Sequence, residues 1–255
     1  MDVAYPVGVK RETPDQLAWS IRSVVAHFPV DRVFLAGHLP GWASSEVVHL
    51  PTKQDSTKFV NIGRNLEATL ASDISDRFLW MNDDFFFLQD FGEDIPLYSR
   101  DQRFDYFCAK LERNVGGSSR ATRPRRPRSP NLRGYINGMI SQKEMLRKMG
   151  INTSEPINTD AHIPIPIEKK RLIRVLSEVK ATFPQHDIGH FRALYGNWPP
   201  QMEGITPLRD PKIMTTKKGI PEDGRPFVST NGRSWNGPLG EALREMFSKP
   251  TRFEL

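Results

Sequence analysis

The sequence predicts an α/β protein built on a mostly parallel sheet flanked by helices. Short apolar runs alternate with amphipathic stretches over the first 85 residues, in the order strand, helix, strand, strand, helix, strand. The apolar runs have strand length, and the amphipathic stretches are long enough to cross over between parallel neighbours. With 255 residues, 38% hydrophobic and 10% aromatic, the chain can bury the core of one large domain.

Each element has a local reason. Asp2-Val-Ala-Tyr-Pro reads as the first strand, ending at Pro6. Thr13-Pro14-Asp15-Gln16 reads as a helix start, with Thr13 capping, Pro14 in the first turn and Gln16 completing a capping box. Leu17, Ile21, Val24, Val25 and Phe28 then share one helical face. Arg32 to Ala36, closed by Gly37, is the second strand and Glu46 to Leu50 the third. A second helix from about Val60 to Ala71 presents Ile62, Leu66 and Leu70, and Arg77 to Met81 is the fourth strand. The C-terminal portion is less regular. Ser141-Gln-Lys-Glu144 has the form of a capping box opening a helix to about Met149. Ile167 to Val179 reads as an amphipathic helix with Leu172, Ile173, Leu176 and Val179 inward. Another helix runs from about Ile188 to Tyr195, and a last one from about Leu239 to Phe247. The irregular stretches between them are too long for plain connectors, which points to binding loops or lids.

Composition narrows the classes. A mean hydropathy of -0.51 and 21 prolines indicate long polar connections. No run approaches the roughly 18 apolar residues of a membrane span, so none is expected. Met1-Asp-Val-Ala-Tyr-Pro lacks a basic region followed by an apolar one, so no secretory signal and a cytoplasmic location are expected. The single Cys108 excludes an internal disulfide and a cysteine metal cluster. The net charge of +6 is local. Arg113 to Arg133 holds seven arginines and no acid, and the rest of the chain carries 29 basic against 30 acidic residues. That segment is rich in Gly, Ser and Pro and reads as a flexible arginine-rich loop over 113–133, between a half over 1–112 and a half over 134–255.

Four constellations could carry chemistry. Asn82-Asp83-Asp84 ends the fourth strand, where an open α/β sheet binds its ligand. A bare Asp-Asp pair commonly starts a surface turn, but this one is followed by Phe85-Phe86-Phe87-Leu88 and lies between two apolar segments. Acids placed there need a partner charge, and a divalent cation bridging to phosphates suits them. Lys58, Arg64 and Asn65 lie at the start of the second helix, where an anion, base or ribose could be held. Asp160 and His162 alternate in an extended segment ahead of Pro164 and Pro166, a spacing that suits a base with its orienting partner or a metal ligand with a base. His186, Asp187 and His190 could ligate zinc on a helix, but no Glu joins the histidines, and His190 with Arg192 better suits phosphate.

The order of these motifs resembles the Stealth family of sugar-phosphate transferases. The resemblance is carried by Asp15 to Pro29, Val33-Phe-Leu-Ala, Leu39-Pro-Gly-Trp42, Arg77 to Phe87, Asp160-Ala-His-Ile-Pro164 and Lys249-Pro-Thr-Arg-Phe-Glu254. The opening strand departs from the family's Val-Asp-Gly, with only Asp2 and a displaced Gly8. Ile62-Gly-Arg-Asn65, a helix and a strand ending in two acids are also similar to the layout of GT-A glycosyltransferases. The resemblance implies a GT-A/Rossmann-like α/β fold, a nucleotide-sugar donor and Mg²⁺ or Mn²⁺. The expected metal ligands are Asp83, Asp84 and His162; the expected catalytic pair is Asp160 and His162. Lys58, Arg64, Asn65, His190 and Arg192 are expected to hold the donor. The acceptor is expected to be a polyanion such as a hydroxymethylated DNA base, met by Arg120, Arg123, Arg125, Arg126 and Arg128. The alternatives are sugar-1-phosphate transfer to a glycan and a non-catalytic nucleic-acid-binding module.

Overall fold

β1 (Asp2–Val7) is central in the sheet because both of its faces are apolar: Val3 and Tyr5 point one way, Ala4 the other, and all three are fully buried. The computed structural model describes residues 1–9, 16–92, 94–101, 103–115, 130–151, 156–200, 204–215 and 217–255. The predicted capping box at Thr13 falls outside them, but its helix is present as α1 (Gln16–His27). β2 (Val33–Gly37) and β3 (Val47–Leu50) follow, then α2 (Lys58–Ala71) and β4 (Arg77–Trp80). β2 and β4 flank β1 in parallel, with Ala4 opposite both Phe34 and Trp80, and β3 pairs parallel to β2. α1 packs Leu17, Ile21 and Val24 against Val3 and Tyr5, and α2 packs Leu66 against Ala4 and Phe34 on the other face. The chain thus winds outward from β1 in both directions, and the order reverses between β1 and β4.

Beyond the acids come β5 (Phe85–Phe87), β6 (Tyr98–Arg100), α3 (Phe104–Val115) and α4 (Pro130–Lys148). β7 (Ile165–Glu168) then returns to the main sheet, antiparallel to β4, giving the order β3-β2-β1-β4-β7. Pro166 is tolerated there because β7 is an edge, where one side of the strand needs no ladder donor. α5 (Lys169–Thr182) packs Leu172 and Leu176 into the core that also holds Leu66, so the two halves divided in the sequence share a core and a sheet. α6 (Arg192–Asn197), β8 (Thr206–Leu208), β9 (Phe227–Ser229), α7 (Gly232–Trp235) and α8 (Pro238–Met246) complete the described elements. β9 pairs antiparallel with β5, and β8 pairs parallel with β6.

Several expectations are corrected. The helix predicted from Ser141 begins at Pro130, so Ser141 to Glu144 lie inside α4 and form no cap. α3 had no counterpart in the prediction. The arginine-rich segment is helical at both ends, where α3 and α4 reach into it. Ile167 belongs to β7 rather than to a helix. Ile173 is 42% exposed and Val25 37% exposed; Val175 takes the inward position on α5. The predicted helix over 188–195 is a turn followed by α6.

Asp2 ties the sheet to its N-terminal edge. Its carboxylate is 1% exposed, accepts from Arg32 Nε and Nη2 at 3.1 and 2.6 Å, and accepts from the Ser75 backbone N–H and hydroxyl at 2.9 and 2.7 Å. Burial alone would raise its pKa, but the bonds from Arg32 and Ser75 outweigh it and hold the group below the ordinary carboxylate value. Asp2→Ala is expected to cost about 2–3 kcal/mol in urea unfolding. It strands the Ser75 donors, while Arg32 keeps Asp73 as a partner. The contribution is complete above the unfolded carboxylate pKa of about 4 and fades as pH falls through the lower folded value. Wild type and variant should therefore converge in stability in acid.

Candidate active site

The acids emerge from β4 at its C-terminal end, beside β1, which is the point where the strand order reverses. Crevices at such points are where open α/β sheets bind ligands. Asn82 to Asp84 form a turn closed by Phe85 N–H donating to Asn82 O at 3.2 Å, and Thr230 N–H donates to the Asp84 carbonyl at 3.0 Å. The turn is thereby fixed from two sides. Asp84 Oδ2 accepts from Lys212 Nζ at 2.5 Å, but among the described residues Asp84 Oδ1 is buried with no hydrogen-bond partner. Such a group costs about 1–3 kcal/mol, and more when charged, unless a ligand satisfies it.

A cavity of about 180 Å³ opens here, lined by Asp83, Asp84, Asp160, His162, His190 and Arg192, with Lys58, Tyr135 and Lys212 also on its wall. The chain bends over Ala161 to Ile163, directly after Asp160, where an extended segment was expected, so strand alternation is not what aligns Asp160 and His162. Arg192 does this: Nη1 donates to the carbonyls of Ala161 and Ile163 at 2.9 and 3.0 Å, clamping the backbone on either side of His162. Arg100 Nε donates to the Asp160 carbonyl at 2.9 Å, and Tyr135 hydrogen-bonds to the Asp160 carboxylate. Burial, reinforced by the Asp160 charge, pushes the Tyr135 phenol well above its usual range, so it remains a donor to Asp160.

His162 is oriented by a residue that no sequence pattern marks. Its Nδ1 lies 3.1 Å from Asp210 Oδ1 and 3.3 Å from Arg100 Nη2, so this nitrogen is engaged by the protein and Nε2 is the ring nitrogen left for a ligand. Arg100 Nη2 holds the other Asp210 oxygen at 2.8 Å. Burial raises the Asp210 pKa, but His162 and Arg100 outweigh it and bring the group to about 2, so it is ionised throughout the physiological range. Asp210 and Lys212 flank Pro211 in the irregular stretch, where no periodicity assigns a side chain to either cavity wall.

Arg192 brings an opposite demand to the same cavity. Its guanidinium lies over Phe85, 5.5 Å from the ring centroid, and among the described residues its buried Nη2 has no partner. Burial lowers its pKa, and the nearby charges of Asp160 and Asp84 oppose this. His190 is 6% exposed and stacks on Phe59 at 3.9 Å; burial lowers its pKa, so the imidazole is neutral at pH 7. Gly138 permits this packing, because a Cβ there would stand 2.2 Å from the His190 ring.

Two expected donor ligands are placed elsewhere. Arg64 Nη1 donates to Asp55 at 2.6 Å and to the Lys53 carbonyl at 3.0 Å, and Asn65 is buried, accepting from Thr52 and Gln54 at 2.5 and 2.8 Å. Both hold the loop before α2 and neither lines the cavity. His186 and His190 do not share a helix, which removes the basis of the zinc spacing. Arg120, Arg123, Arg125, Arg126 and Arg128 lie outside the described residues. Cys108 is buried and its thiol is pushed up to about 12, which rules it out as a nucleophile at neutral pH. Among the described residues no helix is long and apolar enough to cross a membrane.

No protein-family model matches the chain, and a search of curated proteins finds no match.

The donor set fits a divalent cation in one respect that the geometry makes specific. Asp84 Oδ1 is a buried acceptor in need of positive charge, and His162 has the carboxylate-backed Nδ1 that metal-ligating histidines show. Among the described residues no three His, Cys, Asp or Glu side chains form a ready-made cluster. An ion of the Mg²⁺ type takes one or two protein ligands and completes its shell with water and substrate phosphate.

Proposed function

We propose that this chain is a Mg²⁺- or Mn²⁺-dependent transferase that moves a sugar from a nucleotide-sugar donor to a hydroxyl acceptor. The observation that carries the reading is a pair of opposite orphans in one cavity: among the described residues Asp84 Oδ1 has no donor and Arg192 Nη2 has no acceptor. A cation-bound diphosphate is the ligand that satisfies both. The main sheet, with ligand groups at its β1/β4 reversal, supports a GT-A-like layout for the donor.

The cation, when bound, supplies positive charge opposite the leaving phosphate. Asp84 and His162 would hold it, with Asp83 beside them on the cavity wall. Arg192 offers its spare Nη2 to a phosphate oxygen from a position fixed by two backbone carbonyls. Lys58 and Lys212 add charge at the cavity wall. Asp160 takes the proton of the attacking hydroxyl, its carboxylate steadied by Tyr135 and its backbone by Arg100. The acceptor we assign is a hydroxyl on a polyanion such as modified DNA, because the sequence from 116 to 129 holds five arginines and no acid.

Incubation with Mn²⁺ and a panel of nucleotide sugars tests the reading. Nucleoside diphosphate should be released. Nucleoside monophosphate would instead mean phosphosugar transfer, and no release from any donor would remove the reading.

A further inference from the structure

The candidate active site is too small for the donor assigned to it. Ligand pockets span roughly 300–1,000 Å³, whereas this cavity measures about 180 Å³. That room suits a diphosphate and the reacting end of the sugar, but not a nucleoside as well. A second cavity of about 700 Å³ adjoins it, sharing Phe59 and His190 as a common wall. Resting on the transferase reading, we infer that this second cavity receives the nucleoside of the donor.

Its chemistry is that of an uncharged, hydroxyl- and amide-bearing ligand. Ser56, Thr57, Asn137, Ser141 and Gln185 contribute neutral donors and acceptors, and no Lys or Arg lines it among the described residues. Among the described residues Lys53 and Arg64, the cations beside Asp55, are already paired with it, and a phosphate would face the carboxylates of Asp55 and Asp187. Carboxylates instead suit the ribose diol, as in other nucleotide sites, while amide side chains match the edge of a base.

The lining is built rather than incidental. Asp55 is fixed by Lys53 Nζ and Arg64 Nη1 at 2.8 and 2.6 Å, so Arg64 acts as a positioning residue for the cavity. Asp187 Oδ1 accepts from Gly189 N–H at 3.0 Å. His186 Nε2 donates to the His190 carbonyl at 3.1 Å, which leaves Nδ1 to accept from the Ser141 hydroxyl at 3.4 Å. The Ser141 oxygen is then free to accept from a ligand. On the shared wall His190 is a buried imidazole, and among the described residues neither ring nitrogen has a hydrogen bond. The start of α2 joins the two spaces: Thr57 lines the larger and Lys58 the smaller, and the Thr57 side chain makes no cap bond to the helix. The diphosphate lies where this helix start and Arg192 meet.

Calorimetry on the full chain with Mn²⁺ tests the inference, using UDP, GDP, ADP, CDP, TDP and inorganic pyrophosphate as probes. At least one nucleoside diphosphate should bind at least ~10-fold more tightly than pyrophosphate, the gain of an occupied nucleoside pocket. Asn137→Trp and Gln185→Trp, both at exposed positions on different segments, fill the cavity and should each erase that margin with pyrophosphate affinity unchanged. Equal binding of all probes by the wild type, a margin that survives both tryptophans, loss of pyrophosphate along with the nucleotide, or no binding at all would each overturn it. The two readings separate cleanly. A margin erased by the tryptophans without turnover of any nucleotide sugar leaves the nucleoside site standing and removes the transferase. Turnover with no margin does the reverse.

Discussion

Asp84→Asn is expected to lower transfer by on the order of 10²–10³-fold, the scale seen when one group aimed at developing charge is removed. The substitution is nearly isosteric, and the amide oxygen can still accept from Lys212, so the turn at the end of β4 should persist. Thermal unfolding should show a loss of about 1–2 kcal/mol, from the weakening of a charge-assisted bond to a neutral one. Mn²⁺ affinity should fall in parallel with activity, because the unpartnered Oδ1 is the atom assigned to the cation. A folded variant that turns over and binds Mn²⁺ like the wild type would show that the orphan oxygen has no ligand. That would also remove the best physical reason for an acid in this position, since a stability role alone would not leave one of its oxygens buried and unpaired.

The site was legible in the sequence where chemistry and chain order coincide. Asp83 and Asp84 sit at the end of an apolar strand, and parallel β1–β4 follow directly from the alternation of periods, so their place at the sheet's crevice could be inferred. Asp160, His162, His190 and Arg192 also reach the same cavity, although for reasons other than those inferred. Alternation along an extended segment does not align the first pair; a buried guanidinium from α6 does. What could not be read depends on tertiary approach. α4 contains Gly134 and Gly138, which weaken any propensity-based helix assignment. Gly138 is explained only once the His190 ring is seen against it. Asp210 and Lys212 come from a Pro- and Gly-rich stretch without periodicity, yet each completes a residue named in advance: Asp210 orients His162 and Lys212 pairs with Asp84. Arg64 and Asn65 mislead for the converse reason. Their residue types suit a nucleotide, but the loop before α2 has its own unsatisfied groups and takes them.

Arg192 should be the least replaceable residue of the site, because one side chain holds the backbone and faces the ligand at once. Arg192→Leu removes two bonds from a cationic donor to the Ala161 and Ile163 carbonyls, each worth about 1.5–3 kcal/mol. A destabilisation of about 3–5 kcal/mol is expected in chemical denaturation, with transfer lost as well, since Asp160 and His162 lose their fixed spacing. Arg192→Lys separates the two roles. An ammonium keeps the charge but cannot present a planar fork to two carbonyls and a phosphate together. The lysine variant should therefore recover part of the stability lost by the leucine variant while its turnover stays far below wild type, with the donor's KM raised. Full recovery of turnover by lysine would mean that only charge is needed at this position. If turnover instead tracks stability across both variants, the residue is purely structural and the phosphate contact assigned to Nη2 does not exist.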